Sequence, residues 1–536
     1  MRRFRIFSRA NLRFRAFVAL VACCAMLVLP SCCIPKLRGS RPAQAMPQSF
    51  FLPESFSGEN ECDNSAQIAA VGFFDDPYLI GLIDQALVDN QELRILAEDI
   101  QIANNEILRR RGAFLPFLGF RSGASLDKLS EFTPLGAELN DLQTPTGGSF
   151  PNPLPNFLVA ADISWQIDIW RQLRNARDAQ SLRYLGTIEG RNYVVTRTVA
   201  EIAEKYYELM SLDKQLETLD QTIALQEQSL MIAQARKEAG RDTELAVQRF
   251  EAEVRKNQSQ KLIIRQSIVE AENHINFLAG RFPQPVERMS VDFIDLRLTP
   301  LAVGVPSQLL QNRPDIRQAE RELRAAGIDI QVARADFYPK VFITAGVGYE
   351  AFNAKYLIRT PESLIYGVAG NLVAPLINRS GIKADYFNAN ARQLQALYDY
   401  QRTVLNAFTE VVNRVSKVVN YSQSIEIKKQ QLASLETAVD VAGQLFQNAR
   451  VEYLDVLFSQ RDRNEARMVL IETKQQQLAA IVSAYQALGG GWRRPQIIMS
   501  PMELPPPTPV EVVLPPDGEN LLPPAGEFDT PLPEAR

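Results

Sequence analysis

A heptad that occurs twice constrains this chain more than any other pattern. Apolar residues fall at Val195, Val199, Ile202, Tyr206, Leu209, Leu216, Ile223 and Leu230, and again at Val404, Phe408, Val411, Val415, Val418, Ile425, Leu432 and Val439. Both sets step by four, three, four, three and then sevens, and each member of the second stands 209 residues after its counterpart, as 404 does after 195. A sustained heptad predicts a helix packed along one seam against neighbouring helices. Each copy sits in a Pro-free, almost Gly-free segment of roughly 60–70 residues, which as helix would reach ~90–100 Å at 1.5 Å per residue. Helices that long do not fill a compact core. They form the staves of a tube or rod.

The 536 residues are better described by this duplication than by a solenoid, whose repeat period is far shorter. A net charge of −4 leaves no basic face to release counterions from phosphates, which argues against a nucleic-acid partner. The single histidine, His274, leaves little room for a catalytic triad or a zinc site, and its expected role is a polar position near a helix end. The five cysteines (Cys23, Cys24, Cys32, Cys33 and Cys62) crowd near the N-terminus without a CxxC pair, so no disulfide framework or metal knuckle is suggested. No nucleophile elbow or phosphate loop is present either. The chain is therefore not read as an enzyme, and no catalytic, cofactor or metal site is expected.

The first 15 residues carry Arg2, Arg3, Arg5, Arg9, Arg13 and Arg15 and no acid, and Ala16 to Leu29 is an apolar run too short to span a bilayer comfortably. This reads as a secretory signal peptide over 1–31. It ends at Leu29-Pro30-Ser31-Cys32, which resembles the lipobox of bacterial lipoproteins and makes Cys32 the expected acylated residue. Leu20-Val21-Ala22-Cys23 is the alternative, and an uncleaved signal anchor is a third reading. No later window is apolar enough for a transmembrane helix, so any crossing must be made by strands.

Residues 32–71 read as a loosely attached tether. Asp76-Pro77 opens a helix whose period continues to Arg111, ended by Gly112 and Pro116. From Phe117 the period becomes two. In Phe157 to Trp170, Ile163, Trp165, Ile167 and Ile169 share one face, and Asp162, Ser164, Gln166 and Asp168 share the other. One face for lipid and one for water is what a membrane β-barrel strand needs, although a soluble sheet would give the same alternation. A Gly/Pro/Asn-rich loop over about 131–156 separates the two strands. A long helix from near Arg171, a break at Gly240-Arg241-Asp242 and a helix to Leu278 complete a unit spanning 72–282, with an irregular connector over 283–305. Then the order repeats over 306–492: a helix opened at Arg313-Pro314-Asp315, strands at Val341–Val347 and Leu364–Ile377, a long helix from Gly381, and a last helix to Leu488. Residues 493–536 are rich in proline and acid without periodicity and are expected to be disordered.

Four strands per chain cannot close a barrel, and an open edge in lipid leaves backbone groups unpaired. Several copies must therefore share one wall. A cyclic trimer would supply twelve strands, within the range of known barrels. The expected fold is mixed α and β: an internally duplicated chain whose long helices form a periplasmic α-barrel continuous with a transmembrane β-barrel.

Specific motifs agree with that architecture. Arg313-Pro314-Asp315-Ile316, Ala333 to Pro339, Asp168-Ile169-Trp170 with Leu173-Arg174, and Tyr485 to Trp492 through Gly489 resemble the signatures of the TolC-like outer-membrane efflux proteins. With the lipobox, the chain is most similar to the lipoprotein branch that serves resistance-nodulation-division pumps. The resemblance implies a homotrimer in the outer membrane that conducts drugs, toxic compounds or metal ions from an inner-membrane transporter through a periplasmic adaptor. It also implies a closed periplasmic tip at Gly240 to Val247 and Val451 to Phe458. The family's apolar constriction falls on Leu454 and an acidic ring on Asp455. Its second acidic position is Phe458 here, and an acid of the first half falls on Ala246, both departures. Arg461 falls where a basic tip residue pairs with acids of a neighbouring helix. Read from the residues alone, three copies of Leu454 would make an apolar collar and three of Asp455 a cation-favouring ring, yet a helix-pair core and a solvated face fit them equally. A duct for protein secretion and a soluble periplasmic coiled-coil scaffold are the competing readings.

Overall fold

The computed structural model describes residues 34–41, 45–53, 64–144, 147–240, 243–448 and 450–493. Cys23, Cys32, Arg241, Asp242 and the Pro-rich tail from 494 onward lie outside the described residues. The first unit runs through α1 (Ala70–Phe74), α2 (Pro77–Asp89), α3 (Gln91–Gly112), β1 (Phe117–Asp127), α4 (Pro134–Asp141), β2 (Leu154–Ile167), α5 (Gln172–Glu238) and α6 (Glu244–Leu278). The second runs through α7 (Leu309–Asn312), α8 (Pro314–Ala335), β3 (Lys340–Ala351), β4 (Leu364–Val373), α9 (Ser380–Gln447) and α10 (Tyr453–Ala487).

The duplication holds to within one residue in the paired helices. Helices α3 and α8 both contain 22 residues, α6 and α10 both contain 35, and α5 and α9 contain 67 and 68. From α3 to α8 the displacement is 223 residues, and from α6 to α10 it is 209. The change is made between the strands, where 26 residues (128–153) join β1 to β2 but 12 (352–363) join β3 to β4.

The helix expected to run unbroken from Asp76 to Arg111 is two helices. Asp76 caps α2, accepting from the backbone of Tyr78 at 2.9 Å and Leu79 at 3.2 Å. The chain then breaks at buried Asn90, whose side chain accepts from Leu93 N at 3.1 Å to start α3 and donates to the Leu278 carbonyl at 2.8 Å. The apolar period carries across this one-residue break, so periodicity alone does not reveal it. The tether is also more attached than its composition predicts. Ser65 and Ala66 are buried, Ser65 N donates to Ala302 O at 2.9 Å, and Phe50 stacks on Phe408 of α9 at 5.3 Å. The loop after β1 contains a helix, α4, capped by Thr133.

The core surrounds the middle of α5. Ile202, Tyr206 and Leu209 of the first heptad are fully buried among Phe73, Leu79, Ile275 and Tyr485. The connector contributes Val286 and Phe293 to the same core. Tyr206 donates its hydroxyl to Asp76 at 2.8 Å, and burial together with that carboxylate pushes the phenol well above its ordinary pKa.

Beyond one end of the long helices, the four strands form one antiparallel sheet in the order β1-β2-β3-β4. Residues opposite one another in a strand pair share a face. Leu118 faces Ile163, Ile163 faces Ala345, and Ala345 faces Val368. With Phe120, Val159, Trp165, Ile343, Val347, Tyr366 and Leu372 they form one apolar face. On the other face Gly119, Asp162, Gly346 and Gly367 lie in one row, with Arg121, Ser164, Thr344 and Asn371 nearby. Strand β2 ends at Ile167, so Asp168 is not on the polar face as expected.

Candidate functional site

Candidate residues gather in the sheet, at the joint where strands become helices, around the start of α8, and at the far tip of the helices. In the sheet the apolar face is most exposed on the edge strands, with Phe120 at 75%, Val368 at 81% and Tyr366 at 81% of full accessibility. The polar face carries an ion pair, Arg121 to Asp162 at 3.2 Å, and a hydrogen bond from Asn156 to Glu350 at 2.7 Å. Alternation placed Asp162 on this face but gave no sign of its cross-strand partner, because that pairing depends on register.

At the joint, Asp168 caps α5. Its carboxylate accepts from Leu173 N at 3.1 Å and from Arg174 N at 2.9 Å, and pairs with the Arg174 guanidinium at 3.1 Å. Trp170 stacks on Tyr338 with centroids 4.7 Å apart and donates its indole N–H to Pro339 O at 2.8 Å. Pro339 thus anchors the start of β3 against the end of β2. The chain reverses through left-handed residues before both long helices, Arg171 with φ 59° and Asn378 with φ 54°.

The other signature residues gather around one buried cation. Arg313 is 4% exposed, binds Asp315 with two nitrogens at 3.0 and 2.7 Å, and reaches Glu410 of α9 at 2.8 Å and the Ala487 carbonyl at 2.9 Å. One guanidinium therefore ties the start of α8 to α9 and to the C-terminus of α10, and these carboxylates hold it charged well beyond its ordinary range. Pro314 opens α8. Gly489 completes the knot with φ +92°, and a Cβ there would lie 2.6 Å from Asn312 O. Arg313, Pro314, Asp315 and Gly489 are brought together, whereas Pro339 lies at the opposite end of α8. Both groups tie elements of the chain to one another.

At the far tip, α5 turns into α6 and α9 into α10. Lys237 pairs with Glu244 across the first turn, holding that carboxyl below its ordinary range. Ala233, Val247, Phe250, Val456 and Leu457 form a small separate core, with Leu454 half-buried against it. Ala246 is also buried. Asp455, in the first turn of α10, is exposed, as are Phe458 and Arg461. Arg461 lies 5.3 Å from the Phe458 ring and pairs with its neighbour Asp462 at 3.1 Å. Within the chain the partner of Arg461 is thus on its own helix. Three of the four tip residues thus share an open surface, and Leu454 borders it. His274, half-exposed near the end of α6, meets Glu201 at 2.9 Å.

Against known proteins, residues 82–281 and 305–490 match the family described as Outer membrane efflux protein. The chain is similar to the cation efflux system protein CusC of Escherichia coli, at 27% identity over 88% of this chain and 98% of that protein. It is also similar to the solvent efflux pump outer membrane protein SrpC of Pseudomonas putida, at 26% over 87% and 97%. The pyoverdine export outer membrane protein OpmQ of Pseudomonas aeruginosa is 28% identical over 78% of this chain and 86% of its own length. Among solved structures, CusC superposes with a TM-score of 0.73 at 25% identity, covering 85% of this chain and 99% of that one. The Campylobacter jejuni CmeC outer membrane channel shares the fold with a TM-score of 0.76 at 18% identity, covering 85% and 94%. This chain belongs to the outer membrane efflux protein family and is an outer-membrane efflux channel protein.

Proposed function

We propose that three copies of this chain close a twelve-stranded barrel in the outer membrane, and that their long helices enclose a periplasmic tunnel through which small molecules leave passively. The observation that carries this reading is the sheet. It has one apolar face, one polar face with an ion pair, and two unpaired edges, at the end of helices too long to pack on themselves. Lipid tolerates no unpaired edge, so copies must meet edge to edge. The tunnel receives its cargo from a periplasmic adaptor and an inner-membrane transporter, of the resistance-nodulation-division type. The relatives are named for cations, solvents and a siderophore, which share no binding chemistry. That breadth suits a water-filled duct whose selectivity lies in the pump.

Within this reading the tip is the gate. Leu454 and Asp455 narrow it, Phe458 adds an apolar surface where a second acidic ring would otherwise stand, and Arg461 holds the charge locally through Asp462. Cys32 carries the lipid that holds the chain to the membrane. Purified protein in planar bilayers tests the reading: it should form ion-conducting pores, and Leu454→Ser with Asp455→Asn should raise conductance severalfold. Protein that inserts without conducting would overturn the duct; conductance unchanged by the two substitutions would remove these residues from the gate. Cys32→Ser should abolish labelling with radioactive palmitate, and persistent labelling would assign the acyl chain to Cys23.

A further inference from the structure

The internal duplication contains a template for a contact that one chain cannot show. The junction of β2 with β3 joins the end of the first unit's hairpin to the start of the second's. In a ring of copies, β4 of one chain and β1 of the next form the equivalent junction. We infer that they pair in the same register as β2 and β3, so that Val368, Gly370 and Leu372 of one copy stand opposite Leu126, Ala124 and Ser122 of the next on the lipid side. On the lumen side Gly367, Asn371 and Val373 then oppose Asp127, Gly123 and Arg121. This inference rests on the trimer proposed above.

The register follows from three observed ones. Strand β1 corresponds to β3 with a displacement of 223, fixed by α3 against α8 and by the Pro116 and Pro339 joints. Phe117 opposes Ser164 and Lys340 opposes Val373, so the two hairpins match only if β2 corresponds to β4 with a displacement of 209. The helices that follow these strands give 209 independently, from α6 to α10. Carrying the observed pair Ile163 with Ala345 through both displacements yields Leu372 opposite Ser122.

The transferred register keeps the facing, as any transfer that preserves both hairpin registers must. A register off by one residue would set lipid-facing side chains against lumen-facing ones. The transferred register sets Val368 against Leu126, both apolar, and the lumen-side Asn371 against Gly123. One rival keeps the facing. The left-handed residues before the long helices, Arg171 and Asn378, are displaced by 207 rather than 209. If that displacement governed the second strands while 223 still governed the first, at the expense of the hairpin match, the junction would slip by two, and Gly370 would oppose Ser122.

Cysteine pairs separate the two. Directly opposed Cα atoms lie about 4.5–5.5 Å apart, within disulfide reach, whereas a two-residue slip of about 7 Å along the strand moves them to about 8 Å. Gly370 and Gly123 have open space where a side chain would start, so cysteine is tolerated at both. In full-length protein with Cys33 and Cys62 replaced by serine, Gly370→Cys with Ala124→Cys and Asn371→Cys with Gly123→Cys sample the lipid and lumen sides. Oxidation of either pair should link chains into a covalent trimer resistant to SDS, with Gly370→Cys plus Ser122→Cys at least tenfold less linked. Preferential linking of the Ser122 pair, or no linking in a trimer whose cysteines react with a maleimide, would overturn the register. If native mass measurement finds only monomers, the trimer itself fails instead.

Discussion

Helices α5 and α9 began as copies and differ in what covers them. In α5, the heptad residues Val195, Val199, Ile202, Tyr206 and Leu209 are all buried. It lies among α3, α6, α8 and α10. In α9, Ala407, Val411 and Val415 form a single buried stripe, while Leu405 and Ile427 remain 67% exposed. The same heptad is satisfied within the chain in one copy and only half-satisfied in the other. We read this as a first unit that holds the fold of the chain and a second whose exposed residues face the copies proposed above.

The sharpest way to break that comparison is to place a charge in each helix. Ile202→Asp should leave no folded protein, whereas Ile427→Asp should give a folded chain that no longer assembles, as read by circular dichroism and native mass. A folded Ile202→Asp variant, or an assembled Ile427→Asp one, would erase the distinction. Next in size, Arg313→Met removes the cation that ties α8 to α9 and α10 and leaves two carboxylates facing a carbonyl. Loss of about 3–5 kcal/mol in denaturant unfolding is expected, and a neutral result would mean that the signature serves something other than this knot.

Lys474 on α10 sharpens the comparison further. It is 6% exposed, hydrogen-bonded to Gln477, and faces Lys429 and Glu426 of α9 and Asp295 and Arg297 of the connector. Burial first, then Lys429, draws its pKa down to about 8. At lower pH the native state must bury a charge. Between about 8 and the ordinary lysine range the unfolded chain binds the extra proton, so stability rises with pH across that window. Lys474→Met should therefore stabilise at pH 7 by up to about 3 kcal/mol, and melting curves should show the gain fading by pH 10. A gain constant with pH would place the effect in packing. The smallest effect is expected at Leu405→Ala, which should change the unfolding of the single chain by less than about 0.5 kcal/mol while lowering the temperature at which the assembly dissociates.

The duplication, the long helices and the strand positions were legible in the sequence because each rests on a period, and heptads and alternation survive without tertiary context. What depends on one residue's partner was not legible. Asn90 interrupts a helix without disturbing its period, and Asp168 continues an alternation yet serves as a helix cap. Phe50 and Ala66 sit in a stretch whose composition suggests looseness, but each finds a site on the second unit. Arg313 was visible as a motif, while its burial between three helices was not. The four residues singled out at the tip lie near the start of α10, where Leu454 leans into a local core while Asp455 and Phe458 face outward.

The most direct measurement is the mass of the detergent-extracted protein by native mass spectrometry or light scattering. Three copies per particle, falling to aggregated chains when detergent is withdrawn, is the predicted result. A single copy that stays dissolved without detergent would contradict the shared barrel and everything built on it.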